Sequence, residues 1–299
     1  MSASVLRGVV APILTPFNDD LSIATDLFLA HGKRLLAEGC AGLAPFGTTG
    51  EALSVGIDER IEALDRLIDG GIDPALLVPG TGLTALADTA RLTAACLERG
   101  CGGVLLLPPF YYKGVSDEGL YSYFAQLIAA VKPTRPALYL YHIPPVAMVG
   151  LSPSLVRRLF ADFPEAIAGI KDSSGDWANT QALLEIEGLV VYPGSELFLL
   201  DGLKAGSAGC ITASANINAA AIAKVVERFD AGDGAGAEAQ QAEISRFRKL
   251  IQGPGAIPGQ KRLLAMETGD ARWANLRPPL LSFNQAEGQA FAEKLGRAA

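Results

Sequence analysis

The chain holds 299 residues, 49% of them hydrophobic and 19% charged, with 25 Lys and Arg against 32 Asp and Glu and a net charge of −7. That length buries a full core in one large or two medium domains, and an acidic balance without a lysine–arginine block argues against a nucleic-acid or anionic-membrane surface. No apolar run reaches the roughly 18 residues of a membrane span, so the apolarity points to strands buried on both faces.

The opening, "MSASVLRGVVAPILTPFNDD", lacks a basic n-region, an h-region and a small-residue cleavage site. Its "GVVAPIL" (8–14) reads as a first strand. "DLFLAHGKRLLAEG" (26–39) follows with helical periodicity and closes on a glycine stop. Further strands are expected at "GLAPF" (42–46), "ALLVPG" (75–80), "GVLLLP" (103–108) and "ALYLYH" (137–142). Three more are expected at "AIAGIK" (166–171), "LVVYPG" (189–194) and "AGCIT" (208–212). Helix-period segments separate them, among them 57–71 and 86–100. "SPSLVRRLF" (152–160) pairs a capping serine with proline at the first helical position.

Eight strand–helix units imply a parallel sheet, and over this length they suit a closed (β/α)8 barrel, an α/β TIM barrel of typically ~250 residues. The rival doubly wound sheet would carry G-x-G-x-x-G after its first strand, and "APILTPFNDD" has none. After the eighth unit the pattern becomes helical throughout, with "AGDGAG" as a helix–helix turn. The expected organisation is a barrel over 1–228 carrying the active site and a helical subdomain over 229–299.

Cys40, Cys96, Cys101 and Cys210 form no C-x-x-C pair and sit in or beside apolar segments, the pattern of buried thiols in a reducing cytoplasm. His31 and His142 are too few and too far apart to suggest a metal cluster, so neither metal nor cofactor is expected.

Barrel chemistry sits at the C-terminal ends of the strands. Those ends read "PFGTTGE" (45–51), "PPFYYKG" (108–114), "YLYHIPP" (139–145), "GIKDSSG" (169–175), "PGSE" (193–196) and "GCITASAN" (209–216). An apolar run ending on Lys171 could simply mark where a strand meets water. Yet this lysine shares a mouth with Tyr141, Thr48 and Thr49. In an apolar pocket the ammonium is disfavoured and the free amine becomes a nucleophile for a carbonyl carbon. A phenol such as Tyr141 could move the protons. The "GTTG" turn offers N–H groups and two hydroxyls to a carboxylate. A 2-oxo acid needs both halves.

"GTTGE" (47–51), the Tyr141 strand end and "GIKDSSGD" (169–176), in that order, resemble the dihydrodipicolinate synthase / N-acetylneuraminate lyase family of class I aldolases. The resemblance implies an imine between Lys171 and pyruvate or a pyruvate-containing substrate, with Tyr141 as acid and base beside it. It implies that Gly47, Thr48 and Thr49 hold the carboxylate and that Thr48 relays protons to Tyr141. Tyr112 would be a third relay residue reaching into a neighbouring subunit. Gly194 and Ile211 would line the imine pocket by their backbones. The assembly implied is a homotetramer, a dimer of dimers. Ser195, followed by Glu196, either meets the distal part of a substrate or caps the next helix.

Where the synthases of that family carry an arginine for the second substrate's carboxylate, this chain carries Val146, and His142 replaces the usual asparagine. Valine cannot imitate a bidentate guanidinium clamp. The expected activity is therefore a pyruvate-dependent aldolase or lyase acting on a small 2-oxo acid and an aldehyde, rather than the lysine-pathway synthase. The apolar Val146, Ala147 and Met148 suggest a weakly charged acceptor. A dehydratase acting on a 2-keto-3-deoxy sugar acid would use the same imine, an authentic lysine-pathway synthase is the other enzymatic alternative, and a non-catalytic 2-oxo acid sensor would need no proton relay.

Overall fold

The computed structural model describes residues 5–253 and 255–297. Seven short parallel strands are regular: β1 (Gly8–Ala11), β2 (Gly42–Leu43), β3 (Val104–Leu106), β4 (Leu138–His142), β5 (Ile167–Asp172), β6 (Val190–Pro193) and β7 (Gly209–Ile211). They pair as β2-β1-β7 and β3-β4-β5-β6. The stave expected at 75–80 is real but irregular. Residues 74–76 form a turn of 3-10 helix, and only the parallel bridges Leu43↔Leu77 and Gly80↔Leu105 follow. Val78 N–H donates to Leu43 O at 2.8 Å on one side, and Leu105 N–H donates to Pro79 O at 2.8 Å on the other. Pro79 has no N–H of its own, so a longer ladder cannot form there. The gap between β6 and β7 is closed by Ala208 N–H donating to Val191 O at 3.1 Å.

Closure is visible in the interior. Val10, Ala44, Val78, Leu105, Tyr139, Ala168, Tyr192 and Ile211, one from each of eight staves, form a single buried cluster. The fold is thus the expected (β/α)8 barrel, its centre filled by side chains rather than open. Strands are shorter than the apolar runs suggested because proline at 12, 45 and 108 interrupts the ladders soon after they start.

The helices between the staves are α1 (Thr25–Ala37), α2 (Ile57–Asp69), α3 (Leu86–Glu98), α4 (Asp117–Val131), the single turn α5 (Pro144–Ala147), α6 (Pro153–Asp162), α7 (Trp177–Leu184) and α8 (Leu199–Lys204). Ser152 caps α6, accepting from Leu155 N–H at 3.1 Å, with Pro153 at the first helical position as the sequence suggests. Then come α9 (Ala215–Asp230), α10 (Gly234–Leu250), α11 (Ala256–Thr268) and α12 (Gln285–Lys294). Among the described residues no helix is long and apolar enough to cross a membrane.

Candidate active site

The position of Lys171 follows from strand register. Between Leu138↔Ile167 and Tyr139↔Gly169 the β4–β5 pairing slips by one residue, and from there Tyr141 lies directly beside Lys171. Side chains alternate along a strand, so Leu140 and Ile170 face the surrounding helices, where they join the outer core, while Tyr141 and Lys171 turn inward. Lys171 is only 5% exposed. Its Nζ donates to the Tyr141 hydroxyl at 3.2 Å and lies 4.3 Å from the ring centroid.

Burial pushes the Tyr141 phenol up, but the Lys171 charge and hydrogen bonding with Thr48, Lys171 and Ser173 outweigh it and hold the phenol below its ordinary value. A phenol eased toward its anion beside the lysine nitrogen is suited to pass protons in both directions.

The loop after β5 is held by its own carboxylate. Asp172 accepts from Ser174 N–H at 2.9 Å, from Thr180 Oγ1 at 2.6 Å and from Asn179 Nδ2 at 3.1 Å. This Asx-type turn brings Ser173 back over the site. Its main chain is tied on both sides: Ser173 N–H donates to His142 O at 2.7 Å, and Gly194 N–H donates to Asp172 O at 2.6 Å. His142 itself accepts from Leu151 N–H through Nδ1 at 2.8 Å, so its role is to fix the loop after β4.

These elements enclose a cavity of about 370 Å³. Thr48, Thr49, Tyr141, Val146, Lys171, Gly194 and Ser195 all line it, seven of the positions expected from sequence. The others fall elsewhere. Gly47 lines an adjoining apolar cavity of about 260 Å³ that shares Thr48, Tyr141 and Val146 with the first. Ile211 is not among the residues lining either space; its side chain sits in the barrel's interior cluster. Tyr112 is 74% exposed, stacks edge-on with Tyr111 at 5.7 Å and lies outside its own chain's cavity. Ser195 also caps the turn that follows, accepting from Leu197 N–H at 3.3 Å. Glu196 is fully buried beneath the cavity, accepting hydrogen bonds from Thr212 and Ser214. Of the expected apolar rim only Val146 lines the lysine's cavity; Ala147 lines the second, and Met148 is 70% exposed and lines neither.

Ser173, Arg248 and Gln252 are among the lining residues that escaped sequence reasoning. Ser173 directly follows the Lys-Asp pair, and the alternating face of β5 could have flagged it. Arg248 and Gln252, at and beyond the end of α10, come from the helical extension and carry no motif.

Gly194 is required by close packing. A Cβ there would lie 1.9 Å from Ser173 Oγ and 2.8 Å from its Cα, so the loop over Lys171 would have to move. Gly194→Ala is expected to cost about 1–3 kcal/mol, read as a lower urea midpoint with an unchanged slope.

The chain matches the Dihydrodipicolinate synthetase family over residues 5–298. A protein named Uncharacterized DapA-like lyase, from Chloroflexus aurantiacus, is 33% identical over 287 residues, 95% of this chain and 94% of that one. A 4-hydroxy-tetrahydrodipicolinate synthase of Thermus thermophilus is 34% identical over 279 residues, 92% of this chain and 91% of that one. The crystal structure of dihydrodipicolinate synthase from Agrobacterium tumefaciens superposes with a TM-score of 0.87 at 33% identity, covering 97% of this chain and 98% of that one.

Proposed function

The chain belongs to the dihydrodipicolinate synthetase family, whose members are aldolase-type lyases, and from that premise we propose that it makes or breaks a carbon–carbon bond next to pyruvate through an imine on Lys171. The observation that carries this reading is the 3.2 Å contact between Lys171 Nζ and the Tyr141 hydroxyl inside a cavity that also holds the Thr48 and Thr49 hydroxyls.

In the cleavage direction, Nζ adds to C2 of a 4-hydroxy-2-oxo acid, and Tyr141 protonates the departing hydroxyl as water. The iminium that results draws the electrons of the C3–C4 bond into an enamine, while Tyr141 takes the proton from the C4 hydroxyl as the aldehyde forms. Protonation at C3 and hydrolysis then return pyruvate and the free amine. Thr48 and Thr49 hold the C1 carboxylate, and Thr48 supplies a hydroxyl beside the phenol. No metal or organic cofactor enters this scheme.

General acid–base catalysis typically contributes 10²–10⁴-fold. Tyr141→Phe is accordingly expected to lower kcat by roughly 10²-fold or more. The fall should be accompanied by loss of the limb of the pH–rate profile that the phenol sets.

Val146, 59% exposed on the cavity rim, offers a second substrate no charge. We therefore propose that the reaction differs from that of the 4-hydroxy-tetrahydrodipicolinate synthases to which the chain is similar. Tyr112 belongs to the same reading as a group reaching a neighbouring subunit's site in a homotetramer. The proposed division into a barrel over 1–228 and helices over 229–299 is one of chain order, since Arg248 and Gln252 line the cavity. The test is incubation with 2-keto-3-deoxy acids. Release of pyruvate and an aldehyde supports the lyase reading; loss of water with the carbon chain intact would replace it by a dehydratase.

A further inference from the structure

Arg248 is the one arginine among the described residues lining the cavity that holds Lys171. Its guanidinium is only partly committed. Nε lies 3.7 Å from Glu196 Oε2, near enough to balance charge but beyond hydrogen-bond distance, and it is buried without an acceptor. Glu196 already receives one hydrogen bond on each carboxylate oxygen, from Thr212 and Ser214. The Arg248 side chain remains 18% exposed, and no acceptor for its terminal nitrogens is found among the described residues.

The helix that carries it is firmly held. Gln241, also on α10, donates to Glu196 O at 2.8 Å and accepts from Leu200 N–H at 3.1 Å, which staples α10 to the turn after β6 and to the start of α8. A guanidinium with unsatisfied donors, carried on an anchored helix and facing a cavity, can serve as a carboxylate receptor: its planar fork matches two oxygens at once.

We infer that Arg248 binds a carboxylate at the far end of the substrate held on Lys171, so that the preferred substrates are 2-oxo acids with a second acidic terminus. The inference rests on the imine reading of Lys171. It departs from the weakly charged acceptor expected from Val146 and its neighbours, because Arg248 presents its charge from the helical extension, at a different part of the cavity wall from residue 146.

The test compares probes of equal length by borohydride trapping and mass spectrometry: 2-oxoglutarate against 2-oxopentanoate, and 2-oxoadipate against 2-oxohexanoate, with pyruvate as reference. In the wild-type protein at least one diacid should half-saturate trapping at a concentration roughly tenfold lower than its methyl-ended counterpart, equivalent to about 1.4 kcal/mol. Arg248→Met should bring that ratio close to one, and Arg248→Lys should retain part of it, since an ammonium keeps the charge without the fork. A purely structural role would move both members of a pair together and leave the ratio standing. Equal half-saturation in the wild-type protein, or a ratio that survives Arg248→Met, overturns the assignment. If pyruvate itself gives no adduct, the failure lies with Lys171 and not with Arg248.

Discussion

Lys171→Ala is expected to lower kcat/KM by roughly 10⁴-fold or more, the scale on which loss of a covalent nucleophile is felt. Among the described residues lining the cavity, Lys171 carries the one primary amine. No other lining group can replace it, because a guanidinium does not form an imine under these conditions. Lys171→Arg should be equally inactive while keeping a positive charge against Tyr141, which separates the need for an amine from the need for a cation. Both variants should keep the barrel, since Lys171 makes its side-chain hydrogen bond to Tyr141 rather than across the fold. Pyruvate release measured beside the thermal transition checks both halves: activity should vanish while the transition moves by only a few degrees.

The largest expected effect on stability lies one loop away. Glu51, last residue of the "GTTGE" stretch, sits at φ 54° and is 4% exposed. Its partner Lys261, from α11, is fully buried. Lys261 Nζ donates to Glu51 and, at 2.7 Å, to Asn275 O, and Arg277 N–H donates to the other Glu51 oxygen at 3.2 Å. Burial pushes the lysine down to about 8, while the carboxylate opposes the shift. Breaking a buried pair from one side leaves an uncompensated charge and typically costs 3–5 kcal/mol. Glu51→Gln or Lys261→Met alone should each destabilise by about that amount in urea titrations. Glu51→Gln/Lys261→Met together should cost less than the sum, because neither charge is then left alone. Additive losses would mean that the pair is not coupled. The consequence for the site is positional: the same loop carries Thr48 and Thr49, so α11 holds the proposed carboxylate cradle in place.

Much of this was readable from the chain. The eight staves were legible because each is an apolar run bounded by glycine or proline, and because helical periodicity fills the gaps. Their lengths were not, since apolarity records burial, whereas proline at 79 and at the strand ends decides where ladder hydrogen bonds can form. Lys171, Tyr141 and the threonine pair were legible because the barrel rule converts strand ends into a shared mouth. Arg248 and Gln252 were not. They arrive from a helix distant in sequence, and a helical arginine looks the same from sequence whether it faces water or a cavity. Ile211 was assigned a backbone role by analogy of position; the structure places its side chain in the interior cluster. Ser195 resolved toward the capping alternative while still lining the cavity, two roles that one hydroxyl can combine.

The central claim is that Lys171 is the amine on which the substrate is held. The most direct measurement is incubation with pyruvate and borohydride, followed by intact and peptide mass spectrometry. A single reduced adduct on the peptide containing Lys171, absent from Lys171→Ala, is the result predicted. An unmodified, folded protein, or an adduct confined to surface lysines and undiminished in Lys171→Ala, would contradict it and reduce Lys171 to a buried strand end paired with a tyrosine.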